Sequence, residues 1–286
     1  MSYAIFLNDT IVYDTKGFLS TFDRGFLYGD GLFETIRAYN KNPFKLEGHV
    51  TRLSNSAQFL CIPFRYTCDQ IRQIIAQLLE RNHLSDAYIR MTLSRGDNAD
   101  GFIPLRETNP TFVIHAKPFN PYPALSYKRG VKLITSQTRR STTCPISRHK
   151  TLNYLTNYLI KKEALEEGVH DALVLNTEGK VTECSVSNIF FVKDKTVITP
   201  SLEANILPGV TRGIVIALCN ENGIQVEEKL FDLNEILKAD EVFLTNSLME
   251  IMPVSSLNGH DVGGSLPGKV TAFLSNKYKT LVCSQS

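Results

Sequence analysis

Residues 32–39, Leu32-Phe33-Glu34-Thr35-Ile36-Arg37-Ala38-Tyr39, read as a β-strand whose period of two sends Phe33, Thr35 and Arg37 to one face. Directly after it the period changes. Leu46, Val50, Leu53, Ala57 and Leu60, and then Ile71, Ile74, Ile75, Leu78 and Leu79, recur at the i, i+3, i+4, i+7 steps of a helix face, which predicts two helices. Strands are predicted again at 87–93 and 111–115, and upstream at 3–7 and 11–13 around an Asn8-Asp9 turn. This mixture assigns residues 1–117 to an N-terminal α/β domain. Pro118, Pro121 and Pro123 bar residues 117–127 from a central strand or a helix interior, so 118–126 is the expected linker. A C-terminal domain over 127–286 then opens with a strand at 131–135 and a helix at about 152–167. Three strands follow, with turns at 176–179 and 193–195 that imply two hairpins. A helix opens at Pro208-Gly209-Val210-Thr211, and shorter elements follow at 235–239, 241–245 and 270–281.

The whole-chain numbers agree with two modest folded domains. The 286 residues are 43 % hydrophobic, and 31 Lys+Arg against 29 Asp+Glu leave a net charge of +2. Such a chain has no global field to draw it to nucleic acid or to anionic lipid, so no nucleic-acid or membrane partner is expected. The N-terminus lacks a basic region followed by an apolar one, no stretch approaches a membrane span, and a cytoplasmic location is expected. Cys61, Cys68, Cys144, Cys184, Cys219 and Cys283 form no C-x-x-C pair and no metal-ligand spacing with His. They are expected to be reduced thiols, several of them buried, with no metal site.

Charge is nevertheless concentrated locally: residues 108–162 contain no Asp or Glu after Glu107, yet carry ten Lys and Arg, among them Arg139, Arg140, Arg148 and Lys150. Such a run is either a solvated basic face or a site for phosphate or carboxylate groups. Lys150 stands between Arg148-His149 and the predicted start of a helix, surroundings that disfavour an ammonium and would free its amine for Schiff-base chemistry, unless it is an ordinary surface lysine. Gly209-Val210-Thr211 offers helix N–H groups and a hydroxyl to an anion, or simply a cap. Thr245-Asn246-Ser247 is a second hydroxyl-rich turn. Strand alternation over 182–188 sends Glu183, Ser185 and Ser187 to one, polar face, and the same rule groups Tyr88, Arg90 and Thr92. Arg37 and Arg90 could each clamp a carboxylate.

Six blocks in order carry a resemblance that covers nearly the whole chain: residues 22–37 (Phe22-Asp23-Arg24-Gly25 with Tyr28-Gly29-Asp30-Gly31-Leu32-Phe33-Glu34-Thr35-Ile36-Arg37), His49-Val50-Thr51-Arg52-Leu53, Lys150-Thr151-Leu152-Asn153-Tyr154, residues 182–190, Ile206-Leu207-Pro208-Gly209-Val210-Thr211-Arg212, and residues 245–254. Together they resemble the class IV pyridoxal-phosphate aminotransferases, whose members include branched-chain and D-amino-acid aminotransferases and aminodeoxychorismate lyase. The resemblance implies an α/β (α+β) two-domain protein of PLP fold type IV, with a small N-terminal domain and a larger C-terminal β-barrel-like domain with helices. It implies pyridoxal 5'-phosphate held covalently by Lys150, with Glu183 facing the pyridine nitrogen and Arg52, Val210, Thr211 and Ser247 holding the phosphate. Tyr154, Ser187 and Asn188 complete the implied cofactor site. Arg24, Tyr28, Phe33, Arg37, Tyr88, Arg90 and Leu248 are the implied substrate contacts. A homodimer with shared active sites follows from the same resemblance, Tyr28 and residues 95–101 being borrowed by the neighbouring subunit.

The implied reaction is a ping-pong transfer of an amino group between an α-amino acid and a 2-keto acid. Tyr88-Ile89-Arg90 resembles the branched-chain enzymes, with Met91 where they carry Pro. Ser94-Arg95-Gly96 resembles the D-amino-acid enzymes and the lyases, without the Arg and His of the D-specific trap at 97–101. Residues 245–249 and 252–254 are most similar to the lyase, which releases pyruvate and p-aminobenzoate from aminodeoxychorismate. The two guanidinium groups of Arg37 and Arg90 favour the transaminase. A catalytically silent binder of a phosphate ligand would be marked by loss of Lys150 or Glu183, and both are present.

Overall fold

The stretch at 32–39 forms a longer strand, Gly31–Tyr39, inside a six-stranded antiparallel sheet. A computed structural model of the chain describes residues 2–97, 101–103 and 108–285. By internal contacts the chain forms two units, the first comprising Met1–Asn120, His149–Asn153 and Ser284–Ser286, the second Pro121–Arg148 and Tyr154–Cys283. No described helix is long and apolar enough to cross a membrane.

The first unit contains, in chain order, β1 (Ala4–Leu7), β2 (Thr10–Tyr13), α1 (Arg24–Tyr28), β3 (Gly31–Tyr39), β4 (Asn42–Pro43), α2 (Leu46–Phe59), α3 (Cys68–Arg81), β5 (Ala87–Asp97) and β6 (Asn109–Pro118). The sheet order is β2-β1-β6-β5-β3-β4. One face supplies Leu32, Ile36, Ala38, Ile89, Met91, Phe112 and Ile114 to a core closed by Leu46, Leu53, Ile71, Ile75 and Leu78 of the two helices. Each Leu, Ile, Met or Phe among them contributes about 1.5–3 kcal/mol by leaving water. α3 starts at a reciprocal cap, with Gln70 N donating to Thr67 Oγ1 at 3.2 Å and Thr67 N to Gln70 Oε1 at 2.8 Å.

Two features of this unit bear on the site. α1 is one short turn capped by Asp23, which accepts from Gly25 N, Ser94 Oγ and Thr111 Oγ1 at 2.7–2.8 Å. It ends at Gly29, at φ 66°, where a Cβ would stand 2.7 Å from Asn153 Nδ2. The second is a correction. The helix expected from about 152 begins only at Leu155, because residues 149–153 run extended beside β3. Phe33 N donates to Lys150 O at 2.8 Å and Leu152 N to Gly31 O at 2.9 Å. Backbone groups satisfied by the sheet are not available to a helix.

The second unit contains α4 (Ala124–Arg129), β7 (Val131–Arg140), α5 (Leu155–Glu166), β8 (Asp171–Asn176), β9 (Val181–Cys184), β10 (Asn188–Lys193), β11 (Thr196–Pro200), α6 (Val210–Glu221), β12 (Val226–Lys229), α7 (Leu233–Leu237), β13 (Glu241–Asn246), β14 (Glu250–Leu257), β15 (His260–Asp261) and α8 (Lys269–Gln285). Its nine-stranded sheet curls in the order β12-β11-β10-β13-β14-β7-β8-β9, with β15 on β14. The two expected hairpins are β8–β9 and β10–β11. The proline-rich segment is more regular than expected: β6 extends to Pro118, its last residue, and α4 begins after Pro123 at the N-cap, a position that needs no N–H. β14, unrecognised in the sequence, holds Pro253 inside the sheet. It can do so because β14 pairs with β7 only from Val254 onward, leaving Pro253 with β13 alone.

Candidate active site

Two clusters of polar side chains occupy the regions singled out in the sequence, one in each unit. In the first unit the extended segment 149–153 places the Lys150 Nζ 4.3 Å from the centroid of the Phe33 ring, and the Arg90 guanidinium lies 3.9 Å from that same centroid. A ring face attracts cations, so one phenyl group gathers the two. Strand register continues the row: Thr35 pairs with Arg90, Arg37 with Tyr88, Arg90 with His115 and Tyr88 with Lys117. The Arg37 guanidinium lies 4.1 Å from the Tyr39 ring centroid and 4.0 Å from that of Phe119, a contact with two ring faces that favours a cation. Burial, and then the charges of Arg90 and Lys117, hold His115 below the usual imidazole range. These register positions carry cations and no carboxylate, so the face is built for an anion.

Arg52 projects from α2 with its Nε and NH2 on the buried Glu34 carboxylate, at 2.8 and 2.6 Å. Arg24 is 5 % exposed; its Nε donates to Asp30 Oδ2 at 2.8 Å and its guanidinium lies 4.9 Å from the Tyr28 ring. Tyr28 itself is exposed at the end of α1, its ring edge-on to Phe102 at 5.6 Å. Arg95 donates to the same Asp30 oxygen at 2.8 Å and to the carbonyls of Leu60 and Cys61. Of the stretch 95–101, residues 98–100 lie outside the described residues.

In the second unit Glu183 stands on β9. All four residues of β9 are buried, so the polar side chains there do not face water; the strand ends at Cys184, and Ser185 turns its hydroxyl to the buried Asp171. Both sides of this strand are covered, so the side chains there are held by partners rather than by water. Glu183 Oε1 pairs with Arg140, and Oε2 accepts from Asn188 Nδ2 at 3.0 Å and from Leu207 N at 3.2 Å. α6 begins at Val210 after the N-cap Gly209, with no side-chain cap, and buries Thr211 in its first turn. A Cβ on Gly209 would stand 2.0 Å from Asn188 Oδ1, so the turn is drawn tightly against Asn188. Ser187 and Asn188 are each 5 % exposed, and Tyr154 is the N-cap of α5. Ser247 and Leu248 lie in the β13–β14 turn, closed by Asn246 Oδ1 accepting from Leu248 N and Met249 N at 3.0 and 2.7 Å.

The sequence reading named Lys150, Arg52, Arg90, Glu183 and Thr211 but gave no role to Glu34, His49 or Arg140. A signal existed for the first two. Glu34 is a carboxylate at a core-facing position of β3, and His49 and Arg52 are one helical turn apart. Nothing in the spacing of Arg140 and Glu183 announced that pair.

The first unit thus offers a lysine amine and an arginine beside one aromatic ring, and the second a buried, hydrogen-bonded carboxylate and a helix N-terminus with a buried hydroxyl. A family model for class IV aminotransferases matches residues 31–257. A Methanocaldococcus jannaschii protein, provisionally named a branched-chain-amino-acid aminotransferase, is 37 % identical over 278 residues, 97 % of this chain and 96 % of that one. A D-alanine aminotransferase of Bacillus licheniformis is 33 % identical over 92 % of each chain, and an aminodeoxychorismate lyase of Bacillus subtilis 32 % identical over 96 % of this chain and 93 % of that one. The crystal structure of the Escherichia coli branched-chain amino acid aminotransferase superposes with a TM-score of 0.94 at 29 % identity, covering 100 % of this chain and 96 % of that one. A second branched-chain amino acid aminotransferase, at TM-score 0.92 and 30 % identity over 100 % of this chain and 96 % of that one, was solved with pyridoxamine 5'-phosphate. The chain belongs to the class IV aminotransferases, enzymes that depend on pyridoxal 5'-phosphate.

Proposed function

We propose that this chain binds pyridoxal 5'-phosphate and moves an amino group between an α-amino acid, of branched-chain or D-amino-acid type, and a 2-keto acid. The observation that carries the reading is Lys150 held by the edge of β3 over Phe33, next to Arg90 among register positions that carry no carboxylate. Lys150 would hold the cofactor through its Nζ and then move the proton at the substrate Cα. Glu183, with Arg140 and Asn188 fixing its carboxylate, would hold the proton on the ring nitrogen. Arg52, Val210, Thr211 and Ser247 would hold the phosphate, and Tyr154, Ser187 and Asn188 would complete the site. When bound, the cofactor supplies an electron sink for the pair left on the substrate Cα. Arg90, Tyr88 and Arg37 would orient the substrate carboxylate, with Arg24, Tyr28, Phe33 and Leu248 as further contacts.

Identity with the lyase relative, and the likeness of residues 245–254 to that branch, support a second reading: release of pyruvate from aminodeoxychorismate. Borohydride reduction of the pyridoxal-phosphate-loaded protein is expected to fix the cofactor on the Lys150 peptide, read by mass. L- and D-amino acids are then added separately while the visible band is followed. Bleaching by one enantiomer supports the transaminase and gives its handedness. A stable band with both, together with pyruvate from aminodeoxychorismate, replaces it with the lyase.

We further read the chain as a cytoplasmic homodimer. Phe18, Phe26, Phe102 and Ile103 of the first unit are 83, 75, 69 and 67 % exposed, an apolar display that a second copy would cover. Sedimentation at micromolar concentration tests this, and a monomer there would dismiss it.

A further inference from the structure

The alternation of β3 that turns Phe33 toward Arg90 turns Glu34 the opposite way, into the core between the sheet and α2, where it is 1 % exposed. A lone carboxylate in that place would be driven to take up a proton. Instead Arg52 meets it side-on with two hydrogen bonds, Nε to Oε1 at 2.8 Å and NH2 to Oε2 at 2.6 Å. His49 Nδ1, one turn earlier on α2 and 2 % exposed, lies 2.7 Å from Oε2. Burial alone would raise the carboxyl, but the Arg52 charge and the hydrogen bonds from Arg52 and His49 outweigh it and bring the group down to about 2. Burial in turn holds His49 below the usual imidazole range, so the ring is neutral and its Nδ1–H donates to the carboxylate.

A guanidinium is planar, so fixing its Nε edge fixes the direction of the opposite edge. A buried ion pair of this kind is no more stabilising than well-packed apolar side chains would be. Orientation accounts for it where stability does not. We propose that Glu34 and His49 are positioning residues of the phosphate site: Glu34 sets the plane of Arg52, and His49 holds Glu34 in the rotamer that does so. The inference rests on the reading above that Arg52 holds the cofactor phosphate.

The test compares the affinity of the full-length apoprotein for pyridoxal 5'-phosphate with that for pyridoxal, which keeps the aldehyde and lacks the phosphate. Removing the charge in Glu34→Gln is expected to weaken the phosphate ester by about 10- to 100-fold and pyridoxal by less than about threefold, the loss of a charged hydrogen-bond set acting on one group only. His49→Ala is expected to reduce the ratio in the same direction, and His49→Asn, whose Nδ2 can take the place of the ring Nδ1–H, to restore most of it. Thermal unfolding of each variant shows which are folded, and the His49 pair carries the test if Glu34→Gln is not. In the loaded protein the phosphorus-31 resonance of the bound ester is expected to be independent of pH around its ordinary second ionisation near about 6, and to titrate in the Glu34 and His49→Ala variants. An unchanged ratio in folded Glu34→Gln and His49→Ala, with a collapsed one in Arg52→Gln, overturns the positioning role alone. An unchanged ratio in Arg52→Gln overturns the Arg52 assignment, and the positioning role falls with it.

Discussion

Replacing Gly209 by Ala isolates the contact between α6 and the Glu183 carboxylate. The backbone at Gly209, φ −64° and ψ 137°, is one that alanine adopts without strain, so the effect comes from the added methyl group alone. That methyl group would stand 2.0 Å from Asn188 Oδ1 and 3.3 Å from Arg212 Cβ. Asn188 must move, and its amide then leaves Glu183 Oε2 and the Leu207 carbonyl, both at 3.0 Å. Overpacking costs about 1–3 kcal/mol, and the hydrogen bond to a buried charge about 1.5–3 kcal/mol. Less about 0.5 kcal/mol regained from the unfolded chain, the net loss is about 2–5 kcal/mol. At about 2–4 °C per kcal/mol for a unit of this size, Tm should fall by roughly 5–15 °C. The assay is thermal unfolding followed by circular dichroism, with two controls. Gly213, exposed on the same helix with nothing within 4 Å of its would-be Cβ, should become more stable by about 0.5–1 kcal/mol as alanine. In the Asn188→Ala background, Gly209→Ala should cost almost nothing further, a coupling of at least about 1 kcal/mol. A Gly209→Ala melt within about 2 °C of wild type, or strict additivity with Asn188→Ala, would refute the reasoning.

Acid should loosen the first unit in two stages. His49 is buried neutral, so the unfolded chain binds the extra proton and stability declines as pH falls below its ordinary 6.5. Glu34 is held near 2 against 4.5, a contribution of about 3 kcal/mol that is complete above 4.5 and lost as pH falls toward 2. Denaturant titrations of wild type and Glu34→Gln from neutral pH down to about pH 2.5 check the sign, and a gap between the two that does not narrow below about pH 4.5 contradicts it. Among the thiols, exposed Cys61 and Cys283 should label first in the native protein, whereas burial pushes Cys184 well up and Cys219 to about 11. Mass mapping after brief alkylation checks the order, and native-rate labelling of Cys184 contradicts it. Arg95→Met removes donors to Asp30 and to two carbonyls at the end of α2, and should cost about 2–4 kcal/mol by thermal unfolding. A loss below about 1 kcal/mol would show that those groups find other partners.

Sequence period revealed most of the elements because most of them bury one face. β3, α2, α3 and β5 carry their core side chains at the spacing of their own geometry, and the structure packs those residues together. The period failed where tertiary contacts decide the local form. Residues 149–153 look like the approach to a helix, yet they extend because β3 offers them hydrogen-bond partners more than a hundred residues away. The polar face read at Glu183, Ser185 and Ser187 carried no sign of burial, yet β9 is covered on both sides, with Thr182, Glu183 and the following Ser185 each on a partner. β14 was concealed by Pro253, which is tolerable only given where β7 starts. The candidate site follows the same division. Arg52 and Lys150 were legible as residue types in motifs, whereas the Glu34, His49 and Arg140 side chains that hold their neighbours in place act through space.

The annexed segment 149–153 also bears on how the chain is made. Synthesis delivers residues in order, and N-terminal units generally fold as soon as they emerge. Here the Gly31–Phe33 end of the β3 edge is not covered until the polypeptide has been extended through Asn153, well after Asn120 has been added. During that interval the nascent sheet shows an unpaired strand edge, the kind of surface that recruits chaperones or wrong partners. Closing the long loop adds little entropy beyond that of a shorter one, so the late arrival is thermodynamically cheap. The pairing that covers Gly31–Phe33 also places Lys150, so closing that end of the strand and positioning the amine are one event.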